Sequence, residues 1–140
     1  MKFTLLICSI AVMLSFSCRA GKESMKDTVP LYNTKWLLKK IHNGDSIENV
    51  DTKAFIRFDK SKGSAGGNGS CNSFGSNVTI SGDEISFKNI FSTKMFCDDV
   101  QKTENSFFAQ LNKVNRFKIK GKNLLLHQDK NLLLEFLAEP

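Results

Sequence analysis

The sequence predicts a small, mainly β protein of the α+β class: an antiparallel, barrel-like or strongly curved sheet with one amphipathic helix. From residue 31 onward, short apolar runs of period two alternate with turn residues, as in antiparallel strands. In one stretch, residues 99–115, the apolar residues recur at the spacing of a helix instead. The length of 140 residues, with 41% hydrophobic and 24% charged residues, suits one folded domain and excludes a large multidomain enzyme.

The N-terminal residues predict export and lipidation. Lys2 precedes an apolar run over residues 3–16 that is shorter than the roughly 20 residues of a membrane-spanning helix. The run ends in Leu-Ser-Phe-Ser-Cys18, which resembles a bacterial lipobox, where a small residue precedes a cysteine that is acylated. We expect residues 1–17 to be a signal peptide and Cys18 to be lipidated. Cleavage by an ordinary signal peptidase, for example after Ala20, is the alternative.

Polar residues follow Cys18 and end at Pro30, so residues 18–30 are interpreted as the lipidated cysteine and a flexible tether. Several acyl chains on one cysteine give stable membrane anchoring. We therefore expect residues 31–140 to form a domain outside the cytoplasm, in the cell envelope. The expected location is the outer membrane of a Gram-negative bacterium.

Seven apolar segments predict strands. The first carries Trp36 and Leu38 on one face with Lys40, and ends at a strong turn signal, His-Asn-Gly-Asp45. Two pairs of segments predict hairpins, one around Ser-Gly-Asp83 and one at the C-terminus, where Asn-Leu-Leu-Leu occurs twice. The segments are residues 35–41, 54–59, 77–80, 84–87, 116–120, 123–126 and 131–134.

The helix is predicted from apolar residues at helical spacing. Asp98, Asp99 and Glu104 lie near its N-terminal end, where acidic side chains suit the helix dipole. The apolar stripe consists of Val100, Phe107, Leu111 and Val114.

The glycine-rich stretch at residues 63–75 contains five glycines but no phosphate-binding pattern. It has neither the Lys-Ser/Thr of a P-loop nor the Gly-x-Gly-x-x-Gly spacing of a dinucleotide site, and its flanks are predicted strands. Its glycines predict a tight turn, a bulge or close approach of another backbone. The formal charge of +6 is spread along the chain, so nucleic-acid binding is not expected.

Two cysteines remain once Cys8 is removed with the signal peptide and Cys18 is lipidated. Cys71 and Cys97 are then a disulfide candidate, because an even pair in an oxidising compartment favours a bridge. A zinc site with His42 and His127 lacks the usual Cys-x-x-Cys or His-x-x-x-His spacing. A nucleophilic Cys97 with His127 as base is the other alternative. Without a recognised catalytic constellation, we expect no enzyme activity, cofactor or metal.

The order of several motifs resembles the META domain, also called the HslJ-like family, across about residues 31–137. The resemblance implies a small barrel-like fold with one helix, a Cys71–Cys97 disulfide and export or lipoprotein context. It supplies no catalytic residues. The matching residues are Trp36-x-Leu38, Gly69-x-Cys71-Asn72-x-Phe74, Ile90-x-Ser92-Thr93-Lys94-Met95-x-Cys97, Glu104, residues 107–111 and Leu124-x-Leu126.

Similar proteins are associated with envelope stress, so we expect a monomeric, membrane-anchored, non-enzymatic lipoprotein. It would bind an envelope protein partner or support envelope integrity under stress. The alternative is a barrel that binds a small apolar or anionic ligand.

Within the resembling segment, Asn72, Thr93 and Lys94 have two interpretations. They either stabilise the surroundings of the disulfide, with Lys94 solvated and Met95 in the core, or form a polar patch that binds an anionic ligand. The structural interpretation is favoured, because fold motifs often serve folding.

A separate basic strand face has two interpretations as well. It contacts anionic lipid headgroups beside the anchor, or it is simply a solvated, guarded edge. It consists of Arg116, Lys118, Lys120 and Lys122.

Overall fold

The protein, in a computed structural model that describes residues 28–140, consists of nine strands and one helix. The predicted signal peptide, the lipidation of Cys18 and most of the tether lie outside the described residues. Residues 28–140 contain no helix with the length and the apolar character of a transmembrane span. The elements are β1 Trp36–Asn43, β2 Ser46–Asn49, β3 Phe55–Asp59, β4 Ser64–Asn68, β5 Ser73–Ser81, β6 Glu84–Ser92, α1 Gln101–Leu111, β7 Arg116–Lys120, β8 Asn123–Gln128 and β9 Asn131–Ala138.

All the strands belong to one antiparallel sheet that curves back on itself. From β3 to β9, each strand pairs with the next along the chain, and β1 pairs with both β3 and β9, which closes the ring. β2 pairs with the second half of β1. The ring is weakest between β6 and β7, where Glu84 and Arg116 form a single pair. The expected mainly β fold with a strongly curved sheet is thereby confirmed.

The helix covers the end of the ring at which β1 finishes. Gln110 donates a hydrogen bond to Asn43 and Thr103 donates one to Glu48, both at 2.6 Å. Phe107 points into the core, where its ring centroid lies 6.4 Å from that of Phe136. We call this the helix end. The fully buried residues with the largest side chains are Trp36, Leu38, Ile41, Ile56, Ile85, Phe107, Leu111, Leu124, Leu126, Leu134 and Phe136.

The N-terminal segment covers the opposite end of β1. The indole Nε1 of Trp36 donates to the carbonyl of Leu31 at 3.0 Å, and Leu31 is itself buried. Val29 donates its backbone N–H to Gly121, in the turn between β7 and β8. We call this the N-terminal end. β1 has eight residues, so about 26 Å of strand separates it from the helix end at roughly 3.3 Å per residue.

Local irregularities explain where the sequence-based expectations were wrong. A bulge between Leu38 and Lys40 shifts the register of β1 against β9, so Ile41 rather than Lys40 joins Leu38 in the core. The helix is shorter than residues 99–115.

Two strands were not expected, β2 and the glycine-rich β4. β4 forms because its glycines let neighbouring backbones approach: a Cβ on Gly67 would lie 2.0 Å from the carbonyl oxygen of Phe55. A Cβ on Gly66 would lie 2.9 Å from that of Phe74. The expected close backbone approach is thus confirmed.

Candidate functional site

The predicted disulfide lies at the helix end and joins the turn between β4 and β5 to the segment that precedes α1. Cys71 and Cys97 are bonded, with their Cα atoms 5.9 Å apart. Neither cysteine therefore offers a thiolate, and the zinc and nucleophile interpretations of these residues are wrong. Within residues 28–140, no cluster of three or more His, Cys, Asp or Glu side chains is arranged to hold a metal ion.

Asn72 is the centre of the site, and its side chain is fully engaged. It is only 3% exposed. Its Nδ2 donates to the carbonyl of Met95 at 3.0 Å and to Oε1 of Glu104 at 2.6 Å. Its Oδ1 accepts from the backbone N–H of Met95 at 2.7 Å and from the hydroxyl of Thr93 at 2.8 Å. One amide thus fixes both backbone groups of Met95, in the manner of a paired strand.

The other half of this network is Glu104, in the first turn of α1, which is 2% exposed. Its Oε2 accepts from the backbone N–H groups of Cys71 and Asn72 at 2.9 and 2.6 Å. Burial alone would raise the pKa of the Glu104 carboxyl. The hydrogen bonds from Asn72 and Cys71, with a smaller contribution from Lys94, outweigh burial and lower it. We call Asn72, Glu104 and the disulfide the clamp.

Sequence reasoning assigned Glu104 to the helix dipole and missed this role. The signal was present: Val100, Glu104, Phe107 and Leu111 share one helical face, so the acid interrupts an otherwise apolar stripe. Gly69 packs directly against Glu104 and Phe108, where there is no room for a side chain. A Cβ there would lie 3.0 Å from Oε2 of Glu104 and 2.8 Å from the Phe108 ring.

The structure brings Thr93 next to Asn72 but leaves Lys94 apart. Both Thr93 and Lys94 are exposed, and the ammonium of Lys94 lies 3.3 Å from the hydroxyl of Ser92. Asn72 has no free hydrogen-bonding position toward solvent. The expectation that Met95 fills the core is wrong, because its side chain is 60% exposed.

Beside the clamp, three large apolar side chains face solvent. Phe91, Met95 and Phe96 are 70%, 60% and 76% exposed. The ring of Phe91 lies over Gly75 on β5, where a Cβ would come within 2.6 Å of it. We call these three residues the apolar segment. Lys94 is the one charged residue among residues 91–97. The surface therefore suits apolar contact more than proton transfer.

His127, the other residue of the nucleophile interpretation, lies on β8 in register with Arg116. Burial lowers the pKa of its imidazole, and the nearby Lys118 and Lys120 lower it further, against a hydrogen bond with the backbone of Leu125. With Cys97 in the disulfide, His127 has no thiol to activate.

Comparisons with known proteins identify the same kind of domain. A family model described as META domain matches residues 29–140. The NMR structure of a protein from Burkholderia xenovorans is similar, with a TM-score of 0.66 at 20% identity over 78% of this chain and 83% of that one. A second NMR structure has a TM-score of 0.57 at 19% identity, over 78% and 95% of the two chains. These likenesses establish the fold alone. A search of curated proteins found no match.

Proposed function

Because the chain belongs to the META domain family, we propose that it is a lipid-anchored, non-enzymatic protein of the bacterial envelope that binds a protein partner. The observation that carries the proposal is the exposure of the apolar segment at the helix end. Binding of this partner would serve envelope integrity under stress, in line with the family resemblance.

The apolar segment differs from ordinary surface hydrophobicity. Three large apolar side chains lie within six residues of sequence. The other large apolar side chains that are exposed in residues 28–140, Ile47 and Leu137, lie singly on separate strands. Clustered apolar surface marks interaction sites, and aromatic residues and Met are enriched at the centres of interfaces.

The clamp supports this interpretation, because it holds the segment in one conformation. The disulfide fixes Cys97, and Asn72 fixes both backbone groups of Met95. A preformed surface loses less conformational entropy on binding than a flexible loop does. A rigid and exposed apolar surface therefore suits the binding of a protein partner.

The alternative function, a ligand inside the ring, has less support. Trp36, Phe107 and Phe136 fill the interior and are at most 1% exposed. The favoured site is therefore on the outside.

Partner binding is testable with a photo-crosslinking residue at position 94, in protein produced in its native envelope. We expect one discrete protein adduct, lost when Phe91 and Phe96 are both replaced by Ser. Ile47→Ser is the matched control, because Ile47 is 56% exposed but lies outside the segment. An adduct that persists in the double variant, or is lost equally in the control, would contradict the proposal.

The lipid anchor has its own test, the intact mass of the protein purified from its native envelope. We expect a chain that begins at an acylated Cys18 and in which Cys71 and Cys97 resist alkylation until they are reduced. A mature chain without acyl groups would refute the anchor and leave the apolar segment to be tested alone.

A further inference from the structure

The N-terminal end of the domain is where the chain arrives from Cys18. Val29 is held there by its hydrogen bond to Gly121, next to Lys120 and Lys122. The eleven residues from Cys18 to Thr28 span at most about 35 Å when fully extended, so a lipidated Cys18 would keep Val29 within about that distance of the membrane. The surface next to Val29 would therefore be within reach of the lipid headgroups.

Cations surround this point of entry. Lys60 lies over the ring of Tyr32 at 5.8 Å, and Lys35 and Arg57 lie over the ring of Phe55 at 5.0 and 5.6 Å. A groove of about 340 Å³ beside Val29 is lined by three of the cations, together with Glu139. We call the set the basic collar, and it consists of Lys35, Arg57, Lys60, Lys120 and Lys122.

Most of the collar is not neutralised. Glu139 pairs with Lys35 at 2.8 Å, and the nearby Asp59 lies 3.7 Å from Lys62. Among residues 28–140, no carboxylate lies within ion-pairing distance of the other four collar cations, Arg57, Lys60, Lys120 and Lys122.

The collar also revises the basic face that the sequence suggested. Arg116 of that face is neutralised, since its guanidinium lies 2.7 Å from Asp83 and 3.4 Å from Glu84. Lys120 and Lys122 have no carboxylate within ion-pairing distance among the described residues, and they lie next to the entry of the chain.

The helix end has no comparable excess of positive charge. There the cations Lys94, Lys102, Lys113 and Lys130 are balanced by the acids Asp45, Glu48, Asp98 and Asp99. The two ends of β1 thus differ in charge, and the positive end is the one that the tether approaches.

We propose that the basic collar docks on anionic lipid headgroups and so orients the anchored domain, with the apolar segment turned away from the membrane. The inference rests on the proposed lipid anchor. The attraction between an anionic surface and a Lys or Arg decays within a Debye length, so the cations nearest the anchor contribute most. Lys35, Arg57 and Lys122 line one groove, whereas Lys60 and Lys120 lie outside it. The collar therefore presents positive charge over a wider area than one free phosphate covers, which fits several headgroups better.

The test uses the exported full-length chain with Cys18→Ser, so that no acyl chain contributes. Flotation with vesicles of mixed phosphatidylglycerol and phosphatidylcholine measures binding, and vesicles of phosphatidylcholine alone are the lipid control. We expect binding to the anionic vesicles only, weakened at high salt. Replacing Lys120 and Lys122 by Glu is expected to reduce binding at least tenfold.

Lys113→Glu with Lys130→Glu is the matched control, because it changes the net charge equally on exposed residues at the helix end. Its binding is expected to stay within about threefold of the parent. Equal losses in the two double variants, or no binding to anionic vesicles, would overturn the proposal. Inorganic phosphate that competes more strongly than chloride at equal ionic strength would also overturn it and indicate a free-phosphate site. The mass of Cys18 is measured separately, so failure of the anchor and failure of the collar are distinguishable.

Discussion

Removing the carboxylate at the centre of the clamp is the most direct test of how the candidate site is built. Glu104→Ala deprives three donors of their acceptor: the backbone N–H groups of Cys71 and Asn72 and the side-chain amide of Asn72. All of them are held around a side chain that is 2% exposed, so water replaces the lost bonds poorly.

The expected loss follows from the number and type of these bonds. Each hydrogen bond to a charged group is worth about 1.5–3 kcal/mol, and part of that offsets the cost of burying the Glu104 charge. Removing one partner of a buried charged network typically costs about 3–5 kcal/mol. We expect Glu104→Ala to lower the free energy of unfolding by that amount, a large part of the roughly 5–15 kcal/mol available to a domain.

Glu104→Gln is the matched variant that keeps the shape. Its amide oxygen still accepts from the two backbone N–H groups, but its amide nitrogen then faces Nδ2 of Asn72, donor against donor. Asn72 is held against flipping, because its Oδ1 already accepts from Thr93 and Met95. We expect an intermediate loss of about 1–2 kcal/mol, on the scale of one unsatisfied buried polar group.

Urea unfolding followed by Trp36 fluorescence measures these losses, because Trp36 is the single tryptophan and is fully buried.

The pKa of Glu104 is lowered in the folded state. Its contribution to the free energy of unfolding is therefore present above the unfolded pKa of 4.5 and is lost as pH falls through the folded pKa. That part of the acid sensitivity should be absent in Glu104→Gln. A Glu104→Ala protein within about 1 kcal/mol of the parent would refute the clamp.

Two further predictions concern the covalent and backbone parts of the fold. Replacing both Cys71 and Cys97 by Ala, which opens a loop with a sequence separation of 26, should lower the free energy of unfolding by about 3–4 kcal/mol in urea. A loss below about 1 kcal/mol would contradict it. Gly67→Ala drives a Cβ against the carbonyl of Phe55 and should abolish cooperative unfolding. Gly82→Ala, which meets open space at positive φ, should cost only about 1–2 kcal/mol, and equal effects would refute the packing argument.

Much of the fold was predictable because side-chain alternation is local information. The C-terminal hairpin and the period-two strands need only apolar residues on one face and turn residues between them. β4 was not predictable in this way. Its sequence, Ser-Ala-Gly-Gly-Asn68, has no alternation, and it becomes a strand because Gly66 and Gly67 let β3 and β5 approach from either side. That stabilisation is tertiary.

The candidate site, too, was predictable only in the part that depends on the sequence alone. The pairing of Cys71 and Cys97 was predictable from their number and from the expected export of the chain, whereas the exposure of Phe91 was not. A shift in register between β5 and β6 accompanies Asn89, whose φ is 53°, and Phe91 beyond it lies outward over Gly75. An apolar residue near the end of a strand is otherwise expected in the core.

The two proposed surfaces lie at opposite ends of β1, so lipid and partner can be bound at the same time, and one variant separates them. Glu104→Gln loosens the clamp that fixes Met95 but lies away from the basic collar around Val29. We expect it to weaken the crosslink formed at position 94 while vesicle binding by the Cys18→Ser chain stays unchanged. If vesicle binding fell in parallel with the crosslink, the two ends would be coupled through the ring, and separate docking surfaces would be the wrong description.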